Sequence, residues 1–398
     1  MRRRSVLVTL IIASIPATVS LWMFFRPAPS AETLEAGLEF VELMDSAGVD
    51  RVERALTKNG QSDEATLLRC SWLARRNRYD EVLQQLPRRL ENSPWRKDAL
   101  RLVGTSLFHL GELQQAEVAL TTLVSEFPDE LEAYRLLGAM YYDLGSNSLA
   151  LKALAHVQRL APSDYRPHQL AAVILADAEK FQEAIQELRL ALEKHPPEQA
   201  ESTMRRDLAR SLIHIHDFQG AITALQPDAP STQRSALLAE CHWSLGNKEL
   251  ALREVESALT QSPADPPSLR IKVRLMEDQG KVDTAIELLR QILSAEPYDV
   301  ESRYQLVQLL GIQGKTEQRD QEQSEYIRYR KLQDRLVELN LKASEAPDAL
   351  EPRKELVQVC RDLGRPELAE MWSRAARFCE MRNSALQQEN SPDHIPPK

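Results

Sequence analysis

Gly314-Lys315-Thr316 is the one place in this 398-residue sequence where a familiar triplet suggests chemistry, because Gly-Lys-Thr closes phosphate-binding loops. That loop needs a second glycine five residues earlier, where Leu309 stands, and a strand before it, where the pattern is helical. The triplet therefore reads as a turn. His214 and His216 are two residues apart, a spacing that points them to different sides of a helix and away from a shared metal. The sequence contains no GxSxG, HExxH, CxxCH or GxGxxG, and its carboxylates are spread as solvated helix charges. Cys70, Cys241, Cys360 and Cys379 form neither a CxxC pair nor a dense disulfide framework. With a turn near Gly364, antiparallel packing would leave Cys360 and Cys379 about 15 Å apart along the helix axes, beyond disulfide reach. These residues single out no catalytic group, cofactor or metal ligand, and the expectation is that the chain is not an enzyme.

Composition narrows the class. Hydrophobic residues make up 43% and charged residues 27%, while only 13 glycines are available for tight turns, which favours helices. The formal charge of -9 opposes a phosphate-tracking surface, so no nucleic-acid partner is expected.

Periodicity then sets the architecture. Pro94, Pro128, Pro162 and Pro196 recur every 34 residues, and twelve residues before them stand Val82, Ala116, Ala150 and Ala184. Small residues at such a fixed place let two helices approach closely. The windows run 63–96, 97–130, 131–164 and 165–198, and the third holds Tyr134, Leu137, Gly138, Tyr141, Ala150, Leu154 and Pro162. This series resembles the signature of the tetratricopeptide repeat family, with Leu154 where an aromatic is usual. A second block repeats the spacing with Ala251 and Pro263, then Ala285 and Pro297, in windows 232–265 and 266–299, with Gly246 and Gly280 at the turns. The resemblance implies an all-α fold, an α-α superhelix of antiparallel helix pairs whose inner surface is lined by the first helix of each pair.

The remaining segments fit around these blocks. Residues 33–62 read as a helical cap, 63–231 as a first repeat block and 232–383 as a second, with 384–398 as a disordered tail. Between the blocks, Leu208, Ala209, Leu212 and Ala221 keep the register, but QPDAPSTQ cuts the second helix short. After Pro297 the next matching proline, Pro347, comes fifty residues later instead of 34, so sixteen residues are added, and a long helix near 316–344 absorbs them. Its stripe Tyr329, Leu332, Leu336 and Leu339 would either mediate self-association or fold back along the last repeats. The final window, 350–383, carries Leu356, Cys360, Gly364, Ala369 and Ala376.

Residues 1–5 carry Arg2, Arg3 and Arg4, and the run Val6–Phe25 that follows has no charge before Arg26. A helix of this length rises roughly 30 Å, enough to cross a hydrocarbon core. The arginines place the N-terminus in the cytoplasm and the repeats outside it, periplasmic in a bacterium, with 26–32 as linker. A signal peptide cleaved near Ala31 is the alternative, against which stand the long apolar core and Pro29. No polar face marks the run as a buried core helix.

A partner would use the residues that core packing leaves over. In the resembling family, window positions two, five, nine and twelve face the groove. Here they supply Arg101, Thr105 and Phe108; Arg135, Ala139 and Tyr142; Arg206, Arg210 and Ile213; Trp243; and Arg270 with Arg274. Arginines beside aromatics suit a protein or peptide with acidic groups. The competing reading is that these arginines pair with acidic neighbours such as Asp98, Glu132 and Glu240 on solvated faces. Thr105 and Ala139 replace the asparagines, and Arg101 and Arg135 the lysines, of the clamp with which some family members hold a chaperone terminus, so that use is not expected. The function read from the sequence is a membrane-anchored scaffold for protein interactions; the alternative is an accessory subunit of a membrane enzyme or of a secretion or envelope-assembly complex.

Overall fold

Each hairpin reverses the chain at a residue of positive φ, and these residues carry the 34-residue period: Asn77, Gly111, Gly145 and Glu179, then Gly246, Gly280 and Gly314. His216 and Gly364 do the same in the shortened and the final hairpin. The reason is the helix end. Its last carbonyls have no helical partner, and a left-handed residue just beyond the helix turns following N–H groups back onto them. At Gly145 the Ser146 N–H donates to the Tyr141 carbonyl at 2.8 Å; at Glu179 the Lys180 N–H donates to the Leu175 carbonyl at 2.9 Å.

The computed structural model describes residues 32–86, 94–346 and 349–389. The described residues form α-helices joined by short turns. They divide into two compact units: one holds the residues up to Pro162 and those from Arg377, the other holds Ser163–Ala376. The first unit contains the pairs α1 (Leu34–Glu42) and α2 (Ser46–Lys58), α3 (Ser62–Arg75) and α4 (Tyr79–Gln85), α5 (Arg96–Leu110) and α6 (Leu113–Glu126), and α7 (Leu131–Asp143) and α8 (Asn147–Leu160). The second contains α9 (Arg166–Asp177) and α10 (Phe181–Leu192), α11 (Glu198–His214) and α12 (Phe218–Leu225), and α13 (Thr232–Ser244) and α14 (Lys248–Gln261). It continues with α15 (Pro266–Asp278) and α16 (Val282–Ala295), α17 (Val300–Ile312) and the long α18 (Thr316–Glu345), then α19 (Leu350–Asp362) and the start of α20 (Pro366–Glu389). The division between the compact units falls after Pro162, and α20 extends to Glu389.

The small residues expected between helices are core: Ala116, Ala150, Ala184, Ala251 and Ala285 have no exposed surface, and neither has Val82. Gly104 and Gly138 serve the same contact. A Cβ built on Gly104 would meet Leu120 Cδ2 at 2.6 Å, so the α5–α6 approach depends on the missing methyl. First helices in the later repeats start on matching caps: Asp265 and Asp299 accept from the backbone N–H groups of Ser268 and Ser302, and the two hydroxyls donate back at 2.6 Å.

The long α18 is closed by a buried arginine. Arg353, without exposed surface, donates to the carbonyls of Ala343, Ala346 and Ala349 at 3.0, 3.1 and 2.7 Å. Ala343 and Ala346 lie at the negative end of the α18 dipole, where a cation is stabilising. Leu336 and Leu339 are buried in the same region, while Tyr329 and Leu332 are half-buried. The C-terminal half of the stripe is thus spent on packing, while its N-terminal half keeps part of its surface open. Val6–Phe25 and residues 390–398 lie outside the described residues, and among those described no helix is long and apolar enough to cross a membrane.

Two stability changes follow. Relief of the left-handed strain at Glu179, about 1–2 kcal/mol, exceeds the chain entropy that glycine costs, so Glu179→Gly is expected to raise the urea midpoint. Arg353→Met leaves the buried Ala343 carbonyl and two part-buried ones without their donor and is expected to lower unfolding free energy by about 1–3 kcal/mol in the same assay.

Candidate partner-binding site

The first helices present the residues that packing leaves over, and each unit has its own row of them. In the first unit, Arg101 lies 2.5 Å from Asp98 and 3.7 Å from Glu130, which also holds Lys97 at 2.8 Å. Arg135 lies 3.4 Å from Glu132. Thr105 and Phe108 are half-buried, and Phe108 meets the edge of His109, which stacks on Tyr79 at 4.4 Å. Ala139 is fully buried and Tyr142 is 2% exposed, so neither can touch a partner. The helical register aimed Tyr142 outward, yet its side chain is buried.

In the second unit, Arg206 reaches Asp228 at 3.1 Å, and the Asp228 side chain has no exposed surface. Asp228 lies in the QPDAPSTQ segment that shortens α12. This arginine is consumed in closing the short hairpin and is not offered to a ligand. Arg210 is bonded to Asp207, and Ile213 is half-buried beside it.

The residues of α13, α15 and α17 form the most developed face. Arg270 donates to Glu296 and, at 2.8 Å, to Asp299. Arg274 donates to Glu301 at 3.1 Å and lies 4.8 Å from the centre of the Trp243 ring. Tyr304, 47% exposed, stands one turn beyond Glu301 and meets Tyr326 with ring centroids 5.4 Å apart. Glu240 and Glu277 complete the face. Among the described residues neither makes an ion pair or a hydrogen bond. Burial pushes the Glu240 carboxyl above its ordinary range, and Arg274 and His214 offset only part of that rise. Burial also raises Glu277, with Arg274 again the opposing charge. At Asp299 burial acts upward too, but hydrogen bonds from Ser302 and the Arg270 cation outweigh it and hold the group low.

Sequence reasoning named Trp243, Arg270 and Arg274 but passed over Glu277, Glu301 and Tyr304. Counted from residue 300, Glu301 and Tyr304 occupy window positions two and five, so the register held the signal. It was obscured because the proline closing that window comes late.

The residues that suggested chemistry are structural here. Gly314-Lys315-Thr316 is a hairpin turn in which Lys315 faces Asp283 at 3.7 Å. His214 stacks on Phe181 at 4.2 Å, and His216 is the left-handed turn residue. All four cysteines are buried, and burial pushes the Cys70 thiol up to about 11 and that of Cys241 up to about 12, far from thiolate reactivity.

Residues 96–165 match the tetratricopeptide repeat family model. That stretch spans α5 to α8, the part of the chain with the most regular register. The chain is similar to the Protein CTR9 homolog of Arabidopsis thaliana, with 27% identity over 251 residues, 59% of this chain and 23% of that protein. The chain thus spans under a quarter of that relative's length. Among solved structures it is similar to pilF of Pseudomonas aeruginosa, at 16% identity and a TM-score of 0.40, covering 50% of this chain and 92% of the other. It is also similar to YrrB, titled a TPR protein with an unusual peptide-binding site, at 16% identity and a TM-score of 0.37, covering 45% and 93%. The described part of the chain is an all-α, tetratricopeptide-like array of helical hairpins.

Glu240 offers a test of the face. Its folded pKa lies above the unfolded value, so ionising it costs folding free energy above that range and nothing well below it. Glu240→Gln is therefore expected to stabilise the protein at pH 7.5, with the gain shrinking at pH 4 in urea titrations. An equal gain at both pH values would contradict the buried-carboxylate description.

Proposed function

We propose that this protein is a scaffold whose helical hairpins bind other proteins, held at the outer face of a membrane by Val6–Phe25. The observation that carries the binding reading is the row Trp243, Arg274 and Tyr304 on successive first helices. The apolar register positions around them are spent on the core, whereas Tyr304 is exposed and Trp243 and Arg274 are half-buried, each keeping part of its surface open. Aromatics and arginine are the residue types that dominate interface energetics, because they bury much area with few rotors to freeze. An extended segment or a helix laid across the first helices would meet all three.

The anchoring reading rests on the sequence: a chargeless run long enough to span, three arginines before it, and Glu32, Glu35 and Glu39 after it. It sends the repeats out of the cytoplasm, into the periplasm in a bacterial cell.

Replacing Trp243 and Tyr304 together by alanine is expected to reduce crosslinked partner recovery from native membranes about fivefold or more, and Tyr304→Ala alone, at the exposed position, to reduce it with little change in melting temperature. Undiminished recovery would rule out this face. Separately, the full chain should stay with membranes through an alkaline carbonate wash and lose its repeats to protease added from outside; release into the wash would overturn the anchor alone.

A further inference from the structure

Resting on the protein-binding reading, we propose that the partner of the second unit is basic: a segment whose Lys or Arg side chains sit beside Glu240 and Glu277 and whose apolar body packs on Trp243 and Tyr304. The arginines on this face point, at first sight, to an acidic ligand. Their bonds say otherwise. Arg270 is held by Glu296 and Asp299 together, and Arg274 by Glu301 while it lies over the Trp243 ring. An acidic ligand would have to displace carboxylates already in place, at the same distance and with the ordering of both groups already achieved.

What remains unmatched is negative. Two cations, Arg270 and Arg274, stand among five carboxylates, Glu240, Glu277, Glu296, Asp299 and Glu301, an excess of three. Glu296, Asp299 and Glu301 are engaged, which leaves Glu240 and Glu277 without a bonded cation. A carboxylate kept partly out of water without a partner is costly, and groups of this kind cluster at functional sites. Glu301 adds to the field: its side chain is 66% exposed, and it contributes to the rise at Glu240.

The first unit differs. There Lys97, Arg101 and Arg135, the cations on α5 and α7 nearest the candidate positions, each meet an acid among Asp98, Glu130 and Glu132. A basic segment also gains speed of encounter from a protein whose formal charge is -9.

The test is to pan a phage-displayed random dodecapeptide library on the immobilised full-length chain, then measure the selected peptides by fluorescence anisotropy. Sequences enriched in Lys or Arg with an aromatic or aliphatic residue are expected. Their affinity should fall about tenfold in the double variant Glu240→Gln/Glu277→Gln, and also with added salt, whereas Glu249→Gln on exposed α14 should leave it unchanged. Enrichment in Asp and Glu, or basic peptides indifferent to the double variant, would overturn the inference while keeping peptide binding. Failure to enrich any sequence would remove the peptide-binding reading itself, and this inference with it.

Discussion

Leu120 and Leu154 press against Gly104 and Gly138, and around them Ala116 and Ala150 are closed to water; this contact between small and large residues recurs through the chain. One hairpin cannot cover its own apolar face. Two antiparallel helices bury the strip between them, and the outer strip must be buried by the next pair. Close approach is what makes this work, since a gap of even a methyl group forfeits much of the dispersion and burial gained. The turns, the caps and the positions of the surface side chains all follow from holding successive pairs at that distance.

The same constraint explains where departures are tolerated. The short α12 leaves a gap beside α11, and the buried Arg206–Asp228 pair fills it with polar contacts instead of a helical turn. The long α18 adds sixteen residues without disturbing the register, because Arg353 caps its end and α19 starts the next pair from there. In both places one arginine absorbs an irregularity in length. Its guanidinium can satisfy several acceptors at once, which lysine cannot do in the same planar geometry.

Electrostatics on the exposed first helices is mostly internal. Arginines reach acids 26 to 29 residues away, as Arg270 does to Glu296 and Asp299, and tie one hairpin to the next. Exposed pairs of this kind contribute little to stability one by one. Their effect is to spend positive charge inside the array and leave the second unit's face with surplus carboxylate. Net charge on a repeat surface is therefore read from the groups that remain after pairing, not from the residues that face outward.

Much of the fold was legible before any coordinates. The proline period, the alanines twelve residues upstream and the glycines at the turns report backbone geometry, and backbone geometry is local: a helix of given length and a left-handed turn need particular residues at particular steps. Even Glu179 falls at the expected step, with a side chain where a glycine would be easier. The candidate site was legible only in outline. Trp243, Arg270 and Arg274 stand on α13 and α15, but that Tyr142 is buried, that Arg206 is spent on Asp228, and that Glu240 and Glu277 have no bonded cation depends on residues distant in the sequence. The sequence by itself determined the helical repeat and most of its register, since helix length and turn position are set by nearby residues. Only the tertiary structure decided which charges are free and where the array divides, because both depend on contacts across tens of residues that no local spacing encodes.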